Sequence, residues 1–235
     1  MKTIGMIGGL AWPSTITFYR AINEEIARRL GDNGLHSAKL ILTQTDFYEV
    51  ERNQTLGNWD RVGQLLGEEA QKLKAAGADF FFLACNTVHT AYEQILRYTE
   101  LPCIHIVDPV GEYAAKSGYR KVGLMGSNYT MEGTFFKGRL KEKYGFEVLI
   151  PQGENKENIH NALYQELTRG ILREDTHQKF VRCIQELTDR GAELIVLGCT
   201  EFGLIVKKED SPVPVLDTTM ALAQAVVDLA LEEEQ

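Results

Sequence analysis

Gly77-Ala-Asp-Phe-Phe-Phe-Leu-Ala-Cys85-Asn-Thr87 decides how this chain reads, because it returns as Gly191-Ala-Glu-Leu-Ile-Val-Leu-Gly-Cys199-Thr-Glu201. In each copy a glycine, an alanine and an acid lead into a short apolar run, and a cysteine falls eight residues after the glycine. An apolar run of that length, with no polar alternation, suits a strand buried on both faces of a parallel sheet. The thiol then lies where strand gives way to turn. A repeated strand that brings a thiol to the same end of its sheet suggests two half-sites.

The flanking segments fit that reading. Thr3–Ile7 reads as a strand, followed by a Gly8-Gly9 turn and a helix from Thr15 to Leu30 that Ser14 or Thr15 can cap. Lys39–Thr45 is a strand ending at Asp46, a helix from Trp59 to Ala76 leads into the Cys85 strand, and a helix over Thr90–Tyr98 follows it. Leu101–Val107 reads as a strand ending at Asp108. Lys121–Met125 then opens a second series: Gly126 and the loop Ser127–Thr130, a helix Met131–Tyr144, a strand Phe146–Ile150, and helices Asn158–Gly170 and Asp175–Arg190. The Cys199 strand, a Val213–Asp217 strand and a final helix Thr218–Glu232 close it.

Strand alternating with helix predicts an α/β fold of two pseudo-symmetric lobes, each a parallel sheet with helices on both faces. Residues 1–108 plus 214–235 form the expected first lobe, carrying the Cys85 half-site, and residues 109–213 the second, carrying the Cys199 half-site. Ligands in open α/β sheets gather at the carboxyl ends of the strands. The glycine loop, Asp46, Cys85, Asp108, Ser127–Thr130, Cys199 and Asp217 are expected at such ends, lining one cleft if the lobes face each other.

Composition narrows the function classes. A net charge of −8 over 235 residues, with few clusters of Lys and Arg, argues against nucleic acid or an anionic membrane as the main partner. Four cysteines with no CxxC pair make neither a disulfide framework nor a zinc ribbon, and free thiols suit a reducing compartment. With no signal segment and no apolar run of about 20 residues, the expected location is the cytoplasm.

Cys103 and Cys183 read as small buried hydrophobes. Cys85 and Cys199 differ, being followed at once by Asn-Thr and Thr-Glu and placed before an expected helix N-terminus, whose dipole lowers a thiol's pKa. A lone nucleophilic cysteine would want a histidine base, and none accompanies Cys199. Two thiols suit another task. One, as thiolate, removes a proton from one face of a carbon, and the other, as thiol, returns one to the opposite face. Backbone N–H groups and the hydroxyls of Thr87, Thr130 and Thr200 are candidates to stabilise the carbanion between those steps.

Three segments, Met1-Lys-Thr-Ile-Gly-Met-Ile-Gly-Gly-Leu10, Ala84-Cys85-Asn86-Thr87-Val-His89 and Gly198-Cys199-Thr200-Glu201, resemble the aspartate/glutamate racemase superfamily, specifically its aspartate racemase branch. The resemblance runs over essentially the whole chain. It implies racemisation of a small-molecule amino acid, aspartate first and glutamate second, with no cofactor and no metal, by a chain that commonly pairs as a homodimer. It makes Cys85 and Cys199 the acid/base pair, with Asn86, Thr87 and Thr200 holding the α-carboxylate. Leu10, Thr130 and Glu201 are further candidates for the substrate site, Glu201 as a residue that orients the Cys199 loop through backbone N–H bonds. The family's Arg and Lys for the side-chain carboxylate have no clean counterpart here. Arg52 and Arg169 are possible substitutes, and Gln54 stands where some relatives contact substrate. His89 can bias the Cys85 thiol or simply pack at a helix start. Asp46, Asp108 and Asp217 can meet a substrate ammonium or cap the next helix. The alternatives left open are another substrate within the superfamily (a neutral amino acid, a hydantoin, maleate) and a non-catalytic two-lobed binder of a small acid.

Overall fold

A computed structural model describes residues 1–232, without the side chain of residue 33. The chain divides into two compact units, Met1–Ile106 with Leu222–Gln235, and Val107–Ala221; the last three residues lie outside the described part.

The first unit contains β1 (Ile4–Gly8), α1 (Trp12–Leu30), β2 (Leu40–Gln44), α2 (Phe47–Thr55), α3 (Trp59–Ala75), β3 (Phe80–Leu83), α4 (Tyr92–Leu96) and β4 (Cys103–Ile104). Its four strands are all parallel, in the order β2-β1-β3-β4. Strand β3 is apolar throughout because it is an inner strand, and all four of its residues are buried. Its core joins Ile7, Leu10, Val50, Val62, Leu66, Phe81 and Leu83.

The second unit contains α5 (Val107–Lys116), β5 (Lys121–Met125), α6 (Asn128–Glu132), α7 (Thr134–Tyr144), β6 (Glu147–Leu149), α8 (Gly153–Gln165), α9 (Glu174–Asp189), β7 (Leu194–Leu197), β8 (Val215–Asp217) and the first turn of α10 (Thr218–Leu231). Its sheet repeats the first: four parallel strands in the order β6-β5-β7-β8, with β7 wholly buried. Met125, Leu163, Phe180, Ile184, Leu197 and Phe202 lie in its core.

Several boundaries differ from expectation. The return expected at 214 falls at Leu222, because β8 bonds to β7 in the second sheet and the chain re-enters the first unit within α10. There Leu222, Val226, Val227 and Ala230 are buried, and the Lys2 N–H donates to the Ala230 carbonyl at 2.8 Å. Asp108 ends no strand: β4 is only two residues long, and α5 begins at Val107. Pro109 does not oppose this, since a proline is tolerated in a helix's first turn. Helix α1 starts three residues early, with Pro13 in its first turn. The single helix expected over 131–144 is two, α6 and α7, separated at Gly133.

Candidate active site

Each inner strand ends just before its thiol. In the first unit Leu83 is the last residue of β3 and Ala84 is fully buried; Cys85 then sits partly exposed, with Asn86 buried and Thr87 partly exposed behind it. In the second, β7 ends at Leu197, and Gly198 precedes a partly exposed Cys199. Gly198 has a packing reason: a Cβ there would stand 2.9 Å from Thr130 Cγ2 and 3.0 Å from the Met125 carbonyl. Thr130, 1% exposed, is thereby held against the peptide that carries Cys199, its hydroxyl 3.3 Å from Ser127 Oγ.

The helix N-terminus expected after each thiol is not there. A 3-10 turn over Thr87–Ala91 follows Cys85, and another over Phe202–Leu204 follows Cys199. So short a turn aligns few peptide dipoles toward the thiol.

Other groups meet the thiol loops. His89, 1% exposed, has Nδ1 2.9 Å from the Cys85 carbonyl and 3.1 Å from that of Asn86. The Ile106 N–H donates to its Nε2 at 3.2 Å, so the ring proton lies on Nδ1 and the imidazole donates to those carbonyls. His89 thus fastens the backbone of the thiol loop. It does so within an aromatic cluster, its ring 4.7 Å from that of His105, which is also 4.7 Å from Tyr92.

At Cys199 the neighbour is a carboxylate. The thiol donates to Glu201 Oε2 at 2.9 Å, and the Thr200 hydroxyl donates to the same oxygen at 2.7 Å. Glu201 therefore binds two side-chain donors of its own loop rather than the backbone N–H groups expected. Asp217 stands close by. Its Oδ1 accepts the Thr219 N–H at 2.7 Å, and a Cβ on Gly203 would come within 2.6 Å of its Oδ2. Burial pushes the Asp217 carboxyl above its ordinary range; bonds from Thr219 and Met220 oppose this, and the charge of Glu201 adds to it.

The remaining candidates divide. Leu10 is 1% exposed, its side chain in the first core. Arg52 is exposed on α2, while Gln54, on the buried face with Val50, is 9% exposed. Gln54 Nε2 finds no hydrogen-bond partner among the described residues. Arg169 is exposed at the end of a 3-10 turn. Asp46 caps α2 through the Tyr48 N–H, at 3.1 Å. Asp108 is bound by Arg139 at 2.7 Å and Lys143 at 3.0 Å. Burial pushes the Cys183 thiol up to about 12, and Cys103 lies partly buried in β4. A surface groove of about 500 Å³ beside α3 and α4, lined by Gln71, Lys74, Arg97 and Tyr98 among others, contains none of the candidate residues.

His105 and the direct Glu201–thiol contact were missed in the sequence. The signal for the first lies in the sheet register. Cys103 pairs with Phe81 and Val215 with Ile195, each partner four residues before its cysteine, so within the repeat Asp217 is the counterpart of His105, not of Asp108.

The sequence model of the Asp/Glu/Hydantoin racemase family matches residues 7–226, a span that includes both thiol loops. The chain belongs to the Asp/Glu/Hydantoin racemase family. It is 42% identical to a candidate Asp/Glu racemase from Yersinia pestis, whose crystal structure matches with a TM-score of 0.95 over 99% of this chain and 100% of that one. An aspartate racemase homologue from Pyrococcus horikoshii OT3 is 33% identical, with a TM-score of 0.86 over 99% and 100% of the two chains. A broad-specificity amino-acid racemase, RacX of Bacillus subtilis, is 24% identical over 179 residues, covering 73% of this chain and 74% of its own length. Among the described residues of this racemase-family chain, no helix is long and apolar enough to cross a membrane. No group of three or more His, Cys, Asp or Glu among them is placed to hold a metal ion.

Proposed function

We propose that this chain is a cofactor-independent amino-acid racemase that inverts the α-carbon of aspartate, with glutamate as the second candidate substrate. The observation that carries the reading is the duplicated thiol, set in both sheets just beyond the carboxyl end of the same inner strand. In one direction Cys85, as thiolate, takes the α-proton and Cys199, as thiol, delivers a proton to the opposite face; in the other direction the roles exchange. Asn86, Thr87 and Thr200, the last through its backbone N–H because its hydroxyl donates to Glu201, are the residues proposed to hold the α-carboxylate, with Thr130 behind the Cys199 peptide. The amide of Gln54, which finds no acceptor among the described residues, supports an acidic side chain as its partner, with Arg52 nearby in sequence as an exposed cation.

The test is racemisation of L- and D-aspartate and L- and D-glutamate followed by circular dichroism. Cys85→Ser and Cys199→Ser should each lose about a hundredfold or more in both directions. Wild-type rates in either variant would overturn the two-thiol reading. A broader amino-acid range is the second reading, favoured by the likeness to RacX. Activity on neutral amino acids with none on either dicarboxylate would select it. The proposal includes a cytoplasmic homodimer, which sedimentation at assay concentration and fractionation of the producing cell would check.

A further inference from the structure

The two halves of the repeat keep their thiols and exchange what surrounds them. An offset of 114 residues carries Cys85 to Cys199, Thr87 to Glu201 and His89 to Gly203, and the sheet register carries His105 to Asp217. The Cys85 loop is therefore backed by two imidazoles, and the Cys199 loop by two carboxyl groups. Gly203 fits this exchange: it leaves room for Asp217 Oδ2, 2.6 Å from where its Cβ would be, whereas the corresponding His89 stacks edge-on to His105.

We propose that Glu201 is a positioning residue that holds Cys199 as the protonated thiol of the resting protein, leaving Cys85 as the thiol that ionises first. The contact is a thiol S–H donated to Glu201 Oε2 at 2.9 Å. A carboxylate that accepts this bond favours the thiol and repels the thiolate. Thr200 fixes the acceptor by donating to the same oxygen at 2.7 Å, and Asp217 on β8 adds a second acid behind it. On the β5–α6 side the uncharged Thr130 packs against Gly198 with the uncharged Ser127 bonded to it, and His160 on α8 is engaged by the Asn128 N–H at 3.3 Å. Neither supplies a cation bonded to Glu201.

The kinetic consequence rests on the two-thiol reading. Each enantiomer needs one of the two half-ionised forms, so a resting bias makes the favoured enantiomer bind with lower KM and turn over with lower kcat. Racemisation has an equilibrium constant of one, so kcat/KM stays equal in both directions and the bias shows only in KM and kcat separately.

The test is the rate of iodoacetamide alkylation of each cysteine, followed against pH by mass spectrometry on the free protein. Cys85 should alkylate at lower pH than Cys199. Glu201→Gln should move the Cys199 midpoint down by about one pH unit or more and leave that of Cys85 in place. Glu201→Asp, which keeps the charge, should restore part of the difference. Thr87→Glu should raise the Cys85 midpoint, a reciprocal change that does not depend on Glu201→Gln folding. In active protein, Glu201→Gln should bring the two enantiomers' KM values toward each other. A Cys199 midpoint at or below that of Cys85 in the wild type, or one unmoved by Glu201→Gln, would overturn the proposal. Midpoints as expected with no racemisation of any amino acid would overturn the racemase reading and leave this one standing.

Discussion

Under the proposed function, Gln54 is a side chain that serves substrate binding against stability. Its Nε2 is buried on the inner face of α2 with no acceptor among the described residues. A donor left in that condition costs about 1–3 kcal/mol. Gln54→Leu removes the orphan and keeps the apolar contacts, so it should raise stability by about 1 kcal/mol while raising KM for aspartate. Denaturant unfolding and steady-state kinetics on the same preparation check both halves. What the sequence told at this scale was chemistry without neighbours. Cys85, Cys199 and their polar followers stood out because the motif repeats. That Glu201 would take the Cys199 S–H, or that His89 would spend its Nδ1 proton on carbonyls, depends on how each loop turns, which residue types do not specify.

Elements were legible where apolar runs and glycines bound them, as at β3 and β7, and less so where a residue has two structural uses. Pro109 reads as a stop after a strand, but it sits in the first turn of α5 and leaves Asp108 to face α7. Burial raises the Asp108 pKa, yet bonds from Arg139 and Lys143 outweigh it and hold the carboxyl below its ordinary range. A carboxylate with a lowered folded pKa stabilises above its unfolded value, and the contribution is lost as pH falls through the folded value. Asp108→Asn should therefore cost about 2–3 kcal/mol at neutral pH, and progressively less than that as acid titrates the wild type, measured by urea unfolding at several pH values.

The tie between α9 and the 3-10 turn at Lys208–Asp210 runs the other way. His177 Nε2 lies 2.8 Å from Asp210 Oδ2, and that bond raises the imidazole pKa above 6.5. A raised histidine pKa means stabilisation fully present below the unfolded value and lost as pH rises through the folded one. Amides of residues 207–211 should exchange faster at pH 8.5 than at pH 6 after correction for intrinsic rates, and His177→Gln should remove that difference.

At the scale of the whole chain, the division into two α/β units was readable because one topology is written twice, with the same strand order in each sheet. Where the chain returns was not readable. Val213–Asp217 resembles the segment before Asp108, but β8 belongs to the second sheet and the return lies inside α10, whose apolar residues carry no mark of which unit they serve. Family membership extends over residues 7–226 and so takes in both half-sites. The central claim is that two different groups, one from each half of the repeat, handle the α-proton. The most direct measurement is racemisation of protiated L- and D-aspartate in D2O, stopped within the first turnovers and read by mass spectrometry on the separated enantiomers. Two thiols predict deuterium at Cα of the product and protium retained in the recovered substrate, from both directions. Deuterium appearing equally in substrate and product from the start would mean a single base serves both faces, and would contradict the account.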